Sequence, residues 1–276
     1  MELLMIIKAI ILGLVEGLTE FAPVSSTGHM IIVDDMWLQS EKFLTQHGAN
    51  TFKIVIQLGS ILAVVVTFKE RFIDLLGLGR FKTKATSGQG SLKLSQVIVG
   101  LIPAGVLGVL FNDYIDEHLF STATVLIGLV IGAILMILAD FFGPKRPKVQ
   151  TVDQITYKQA LTIGLFQCFS LWPGFSRSGS TISGGVLMGM SHRAAADFTF
   201  IMAVPIMAGA SFLSLLKNWE YMTLDALPIF IAGFISAFIF ALLSIRFFLK
   251  LINKIKLLPF AIYRIVLALL LYIIFF

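Results

Sequence analysis

Apolar and polar positions divide this chain into long greasy stretches separated by charged loops. Six stretches, roughly 52–68, 95–111, 119–142, 194–216, 227–248 and 258–276, run nearly without charge. Each approaches or exceeds the ~17–25 residues a helix needs to cross a bilayer. Two other regions are equally apolar but interrupted. Region 3–33 is broken by Glu16, Glu20, Pro23 and the run Ser25-Ser26-Thr27-Gly28-His29. Region 155–190 is broken by Gln167, Pro173-Gly174 and Ser176-Arg177-Ser178-Gly179-Ser180-Thr181. Polar backbone at membrane depth survives only where protein or a water-filled cavity surrounds it. Each broken region therefore predicts a helix–loop–helix that enters and leaves on one side.

Composition agrees with this pattern. Of 276 residues 57% are hydrophobic and 13% charged, about half the roughly 25% charge of a soluble domain. Mean hydropathy is +0.92. The bilayer is the expected solvent for most of the surface. The net charge of +5 reads as membrane orientation rather than nucleic-acid binding, because the basic residues are confined to certain loops. Loop 69–94 holds Lys69, Arg71, Arg80, Lys82, Lys84 and Lys93; loop 143–158 holds Lys145, Arg146, Lys148 and Lys158. Arg193 and the turn with Arg246, Lys250, Lys254 and Lys256 complete 15 of the 21 basic residues. The alternate loops carry Asp34, Asp35, Glu41, Asp113, Asp116, Glu117, Glu220 and Asp225, with only Lys42 and Lys217. The positive-inside rule places the first set in the cytoplasm and the second outside. Cys168 is the single cysteine, which excludes an intramolecular disulfide and a thiolate metal cluster. The stretch Leu3–Val15 lacks the basic flank and cleavage site of a signal peptide and is expected to stay in the mature chain.

The broken regions match each other at an offset of 151. Gly13-Leu14-Val15-Glu16 aligns with Gly164-Leu165-Phe166-Gln167, and Ser25-Ser26-Thr27-Gly28 with Ser176-Arg177-Ser178-Gly179. The expected fold is an all-α polytopic membrane protein, one membrane domain over 1–276. Each half, about 1–142 and 155–276, contributes one re-entrant helix-loop-helix and three crossings. An odd number of crossings inverts the second copy, and paired interruptions in inverted repeats mark a binding site near the midplane.

The chemistry sits in those interruptions. Glu16 and Glu20 are four apart and share a helical face. Buried carboxylates at membrane depth are costly and point to function; together they suit a divalent cation. The run Ser25-Ser26-Thr27-Gly28-His29 offers hydroxyls, an imidazole and, where a helix restarts, free N–H groups for an anion. Arg177 has no counter-ion within its own segment, so Glu16 or Glu20 of the other hairpin is its expected partner. Its planar fork suits phosphate. Lys53 and Gln57 share a face that could line a cavity. Asp140, Arg246 and Arg264 read as span-end residues able to snorkel. Walker, dinucleotide-fold and zinc-protease signatures are absent from the sequence.

Glu16-Gly-Leu-Thr-Glu20-Phe-Ala-Pro-Val-Ser-Ser-Thr-Gly-His29, with Pro173-Gly-Phe-Ser-Arg-Ser-Gly179 and Thr181 far downstream, resembles the bacterial undecaprenyl-diphosphate phosphatase family of the bacitracin-resistance type. The resemblance covers the whole chain in length, span pattern and motif order. It implies a hydrolase of the bacterial cytoplasmic membrane that converts undecaprenyl diphosphate to the monophosphate carrier for wall synthesis. A divalent cation (Mg²⁺ or Ca²⁺) would assist, and the active site would open to the outer side. It marks Glu20, Ser26, His29 and Arg177 as catalytic and gives Glu16 and Thr181 lesser roles; Glu16 with Glu20 is the expected metal-binding pair. Ser25, Thr27, Ser176, Ser178 and Thr181 are the expected substrate-binding groups. Whether Ser26, His29 or an activated water attacks phosphorus stays open at this stage. The expected partners are the lipid substrate, the bilayer and, in a homodimer, a second copy; nucleic acid is not among them. The rival reading is a polyprenyl-phosphate flippase or transporter, since inverted repeats with broken helices also build carriers.

Overall fold

The computed structural model describes residues 2–78, 90–119, 121–218 and 224–276. Arg80, Lys82, Lys84 and Glu220, which the charge argument used, lie outside the described residues. All named elements are helical. The first broken region becomes α1 (Glu2–Thr19), a turn, then α2 (Ser26–Met30), which continues as a π-helical stretch over Ile31–Leu38. Its second arm thus runs five residues past the boundary at 33 that the sequence suggests. Then come α3 (Glu41–Thr67), α4 (Lys69–Leu75), α5 (Leu94–Leu110), α6 (Asn112–His118) and α7 (Thr122–Phe142). The second broken region becomes α8 (Tyr157–Cys168), a 3-10 turn at Phe169–Leu171, and α9 (Arg177–Leu187). The chain closes with α10 (His192–Asn218), α11 (Leu227–Ile255) and α12 (Leu258–Phe275).

Five of these helices, α3, α7, α10, α11 and α12, are long and apolar enough to cross a membrane. The sixth expected span, α5, is apolar but has 17 residues, about 26 Å at 1.5 Å per residue. It begins directly after Lys93, its N-cap, and is prolonged after Phe111 by α6. Large apolar side chains cover the outside, Phe141 and Phe142 of α7 and Val109 of α5 among the most exposed. In water this surface would be untenable; in lipid it is what a multi-pass membrane protein presents.

Helices that bury small residues hold the broken segments in place. A Cβ added to Gly13 of α1 would run into the Gly233 carbonyl of α11, and one on Gly17 would meet Ala237 and Ala241 of α11. Interhelical hydrogen bonds reinforce the seam, Ser236 Oγ donating to the Ile10 carbonyl (2.7 Å) and Ser244 Oγ to that of Leu18 (2.9 Å). On the other side Gly164 of α8 lies against the backbone of Gly100 on α5. Without a hydrophobic drive between helices in lipid, close backbone approach and such bonds carry the association.

Two of the expected snorkelling residues are not at the surface. Arg264 is fully buried and sits within α12. Its Nη2 donates to the carbonyls of Gly174 (2.9 Å) and Gly128 (3.2 Å), and its Nη1 lies 3.3 Å from the sulfur of Met136. A helix that fronts α7 and the second hairpin gives its charge no route to water. Asp140 is also largely covered. It accepts from His192 Nε2 (2.6 Å) and from the backbone N–H groups of Leu257 and Leu258 (2.8 Å each), joining the ends of α7, α10 and α12. Arg246 alone of the three is exposed.

Candidate active site

Both interruptions fold to the same local geometry. Ser25 adopts φ 69°, ψ 98° and Ser176 φ 74°, ψ 116°. Left-handed backbone at a non-glycine residue costs on the order of 1–3 kcal/mol and persists only where its surroundings enforce it. Each serine ends a turn and caps the helix that restarts after it. Ser176 Oγ accepts from the Gly179 N–H at 3.2 Å, and Ser25 Oγ from that of Gly28 at a longer 3.5 Å. The restarted helices α2 and α9 thus begin with Ser26 and Arg177, side by side in space.

Glu20, in the turn after α1, joins them. Its Oε2 accepts from Ser26 Oγ at 2.7 Å and its Oε1 from Arg177 Nη2 at 3.0 Å. The Arg177 and Glu20 side chains are only 13% and 9% exposed, so the ion pair is mostly desolvated. The guanidinium also lies over the Phe21 ring, 5.6 Å from its centroid. Arg177 Nη1 is buried with no hydrogen-bond partner. A buried unpaired cationic N–H is costly, and it is the group an incoming anion would satisfy.

A cavity of about 280 Å³ opens at this point, lined by Glu20, Ser25, Ser26, Thr27, Ser176 and Arg177 of the two turns. Gln57 of α3 and Gln167, Ser170 and Trp172 of the second hairpin add polar edges. The apolar wall comes from Ala104 of α5 and from Ile206, Met207 and Ala210 of α10.

Sequence comparison bears on what such a cavity serves. The family model described as "Bacitracin resistance protein BacA" matches residues 9–270. The chain belongs to the BacA family. A protein of Geobacillus sp. (strain WCH70) named "Undecaprenyl-diphosphatase" is 79% identical over the full length of both chains. One of Bacillus subtilis (strain 168) with the same name is 63% identical over 95% of each. A Bacillus licheniformis protein, "Undecaprenyl-diphosphatase 2", is 66% identical over 98% of each.

Not every candidate residue of this BacA-family chain reaches the cavity. Ser178 is buried and donates to the Ala22 carbonyl (3.1 Å), tying the second turn to the first. Thr181 is buried beneath, donating to the Arg177 carbonyl (2.8 Å) and accepting from Thr199 (2.9 Å). Glu16 lies one turn behind Glu20, close enough to interact with the charges of Glu20 and Arg177. His29 also stands behind the cavity wall. Its Nδ1 is 2.8 Å from the Ser25 carbonyl and its Nε2 is 2.6 Å from the Tyr263 hydroxyl. Lys53 turns instead to Asp34 (2.9 Å) and Asp35 (3.2 Å), leaving Gln57 as the member of that pair at the cavity.

Among the described residues no group of three His, Cys, Asp or Glu side chains could cage a metal ion. Of the two carboxylates expected at a cation, Glu16 is buried and outside the cavity lining, and Glu20 has one oxygen on Ser26 and the other on Arg177. Ser170, Trp172 and Tyr263 escaped the sequence reading, which took Arg264 for a span-end residue. Only Gln167 left a trace there, standing where the 151-residue offset puts the counterpart of Glu16.

Proposed function

We propose that this chain hydrolyses the terminal phosphate of undecaprenyl diphosphate, releasing the monophosphate carrier that cell-wall synthesis reuses. One observation carries the reading: Glu20 holds the Ser26 hydroxyl and the Arg177 guanidinium together at one cavity wall. That arrangement supplies a nucleophile, its base and a charge clamp in hydrogen-bond contact. A carrier needs only the clamp, so the trio favours hydrolysis over a flippase, as do the names of the relatives.

In this mechanism Arg177 and the polar wall bind the diphosphate oxygens. Ser26 Oγ attacks the terminal phosphorus as its proton passes to Glu20 Oε2. The bond from phosphorus to the bridging oxygen breaks, undecaprenyl phosphate leaves with the proton that Glu20 took, and a phosphoserine remains beside the restored carboxylate. Water, deprotonated by that carboxylate, then attacks the phosphoserine; the bond from phosphorus to Ser26 Oγ breaks, the proton returns to Oγ and inorganic phosphate leaves. Stabilisation of the spreading phosphoryl charge by Arg177 is the main catalytic contribution.

The lipid tail has a route on the same side. Helices α5 and α10 meet tightly where Gly100 faces Met202 and Phe198. Each then carries a proline, Pro103 or Pro205, before the residues that line the cavity. Beyond the prolines nothing lies within 4 Å of a Cβ built on Gly105 or Gly209. This open side next to the cavity wall is the route proposed for the prenyl chain.

The inverted repeat, with halves 1–142 and 155–276, is part of the same proposal. In its support α2 and α9 begin 151 residues apart, and so do α3 and α10. Gly13 against Gly233 has its counterpart in Gly164 against Gly100. The mouth is assigned to the outer face. The cavity is lined by the later halves of α5 and α10, which run from the basic ends at Lys93 and Arg193 toward the acidic loops.

The test is phosphate release from a prenyl diphosphate by purified protein in detergent, with Ser26→Ala alongside. Wild-type release with trapping of a phosphoryl group on Ser26 by acid quench is expected. Release without any adduct, undiminished in Ser26→Ala, would overturn the nucleophile; no release by wild type would overturn the hydrolase reading.

A further inference from the structure

The last helix, α12, contributes nothing to the cavity lining, yet two adjacent residues on it reach both catalytic turns. Tyr263 takes the first turn. In a neutral His29 ring Nδ1 must donate to the Ser25 carbonyl, since that oxygen can only accept. Nε2 is then the acceptor of the Tyr263 hydroxyl, at 2.6 Å, with the two rings nearly parallel. The Ser25 carbonyl belongs to the peptide unit that joins Ser25 to Ser26, and Ser25 is in the strained left-handed conformation. Arg264 takes the second turn. Its guanidinium donates to the carbonyl of Gly174, itself at φ +88° and two residues ahead of Ser176. It spans from there to Gly128 on α7. Arg264 is fully buried, no carboxylate pairs with it among the described residues, and Gly132 and Gly179 leave the room it occupies. A lone buried cation is expensive to keep, and Met or Leu would fill the volume at less cost.

We propose that Tyr263 and Arg264 are positioning residues for the phosphatase reaction, a clamp on α12 that fixes the two turns in register. Tyr263 acts through His29: it locks the imidazole so that Nδ1 holds the Ser25–Ser26 peptide and aims Ser26 Oγ. Arg264 acts through Gly174: it holds the loop that presents Ser176 and Arg177. His29 in this role is a strut rather than the base. The proposal rests on the hydrolase reading above.

The experiment measures kcat and KM for a prenyl diphosphate in detergent, with melting temperature, for wild type, Tyr263→Phe, His29→Gln, their double variant, Arg264→Lys and Arg264→Met. Tyr263→Phe keeps the ring and loses one hydrogen bond; kcat should fall about tenfold with KM and melting temperature unchanged. Added to His29→Gln it should cost nothing more, because the two act as one unit. Arg264→Met should lose about a hundredfold in kcat through a misplaced turn, and Arg264→Lys, which restores one donor, should recover part of it. Wild-type kcat in Tyr263→Phe, or a loss that multiplies with that of His29→Gln, overturns the Tyr263 arm. Wild-type kcat in Arg264→Met overturns the other; should that variant fail to fold, Arg264→Lys with unchanged melting temperature and an unchanged kcat overturns it equally. An inactive wild type would strike the hydrolase reading instead, so the two failures are distinct.

Discussion

Arg177 and Ser26 differ from their neighbours by what they touch, and substitutions should show it. Arg177→Lys keeps the charge but cannot bond Glu20 through one nitrogen while offering another to phosphate. We expect kcat/KM to fall by about two orders of magnitude or more, the loss typical of a removed charge-stabilising donor. Near wild-type turnover would separate Arg177 from the diphosphate. Ser26→Ala should abolish turnover, whereas Ser25→Ala removes a long, weak cap bond and should cost far less. Equal losses in the two would mean that both serines merely shape the turn. These residues were legible in the sequence because charge and hydroxyls inside apolar stretches have few innocent explanations. His29 was legible as important, but its direction was not, since its partner Tyr263 lies 234 residues away.

Among the elements, the two helix–break–helix segments followed directly from their polar interruptions, and the π-helical extension to Leu38 did not. Asp34 accompanies that extension: it is buried within the segment and accepts from the N–H and hydroxyl of Ser40, just past its end, an arrangement that no periodicity announces. Arg264 was misplaced for a related reason. Its position in an apolar run gives no sign that α7 and the second turn will enclose it. The open space beside Gly105 and Gly209 likewise emerges only from packing, and it makes a prediction at this scale. Gly209→Leu should fill the open space beside the cavity. KM should rise about tenfold for a long polyprenyl diphosphate, given that one bulky side chain in an apolar subsite is worth roughly 1–3 kcal/mol. A short water-soluble prenyl diphosphate should be unaffected. Equal effects on both substrates would close that route for the tail.

For the whole molecule, the charge pattern predicts sides, and the proposed outward mouth of the cavity rests on that prediction. Lys42 lies in the acidic set of loops and Lys148 in the basic set. In a Cys168→Ala background, Lys42→Cys should react with an impermeant thiol reagent added to intact cells, and Lys148→Cys should react only after the membrane is opened. The reverse pattern would turn the protein over and place the cavity mouth in the cytoplasm. Glycine seams make a second claim on the assembly. Gly164→Val would force α8 away from the Gly100 backbone, and we expect a melting temperature several degrees lower, from a loss of about 1–3 kcal/mol by overpacking. An unchanged melting temperature would show that this seam yields more easily than its geometry implies.

The double grip of Glu20 has a further consequence for the resting protein. With one oxygen on Arg177 and the other on Ser26, this carboxylate already draws on the guanidinium whose free Nη1 faces an incoming anion, so carboxylate and diphosphate compete for one charge. A diphosphate bound at Nη1 weakens the hold of Nη2 on Glu20, and a carboxylate less neutralised by Arg177 is the stronger base toward Ser26. Ligand capture and base activation are then coupled through one guanidinium. It follows that Glu20→Gln should bind a non-hydrolysable diphosphate analogue more tightly than wild type, by about tenfold if roughly 1.4 kcal/mol of competition is removed, while turning over no substrate. Equilibrium binding to the purified variant measures this directly, and weaker binding would show that Glu20 assists the ligand rather than competing with it.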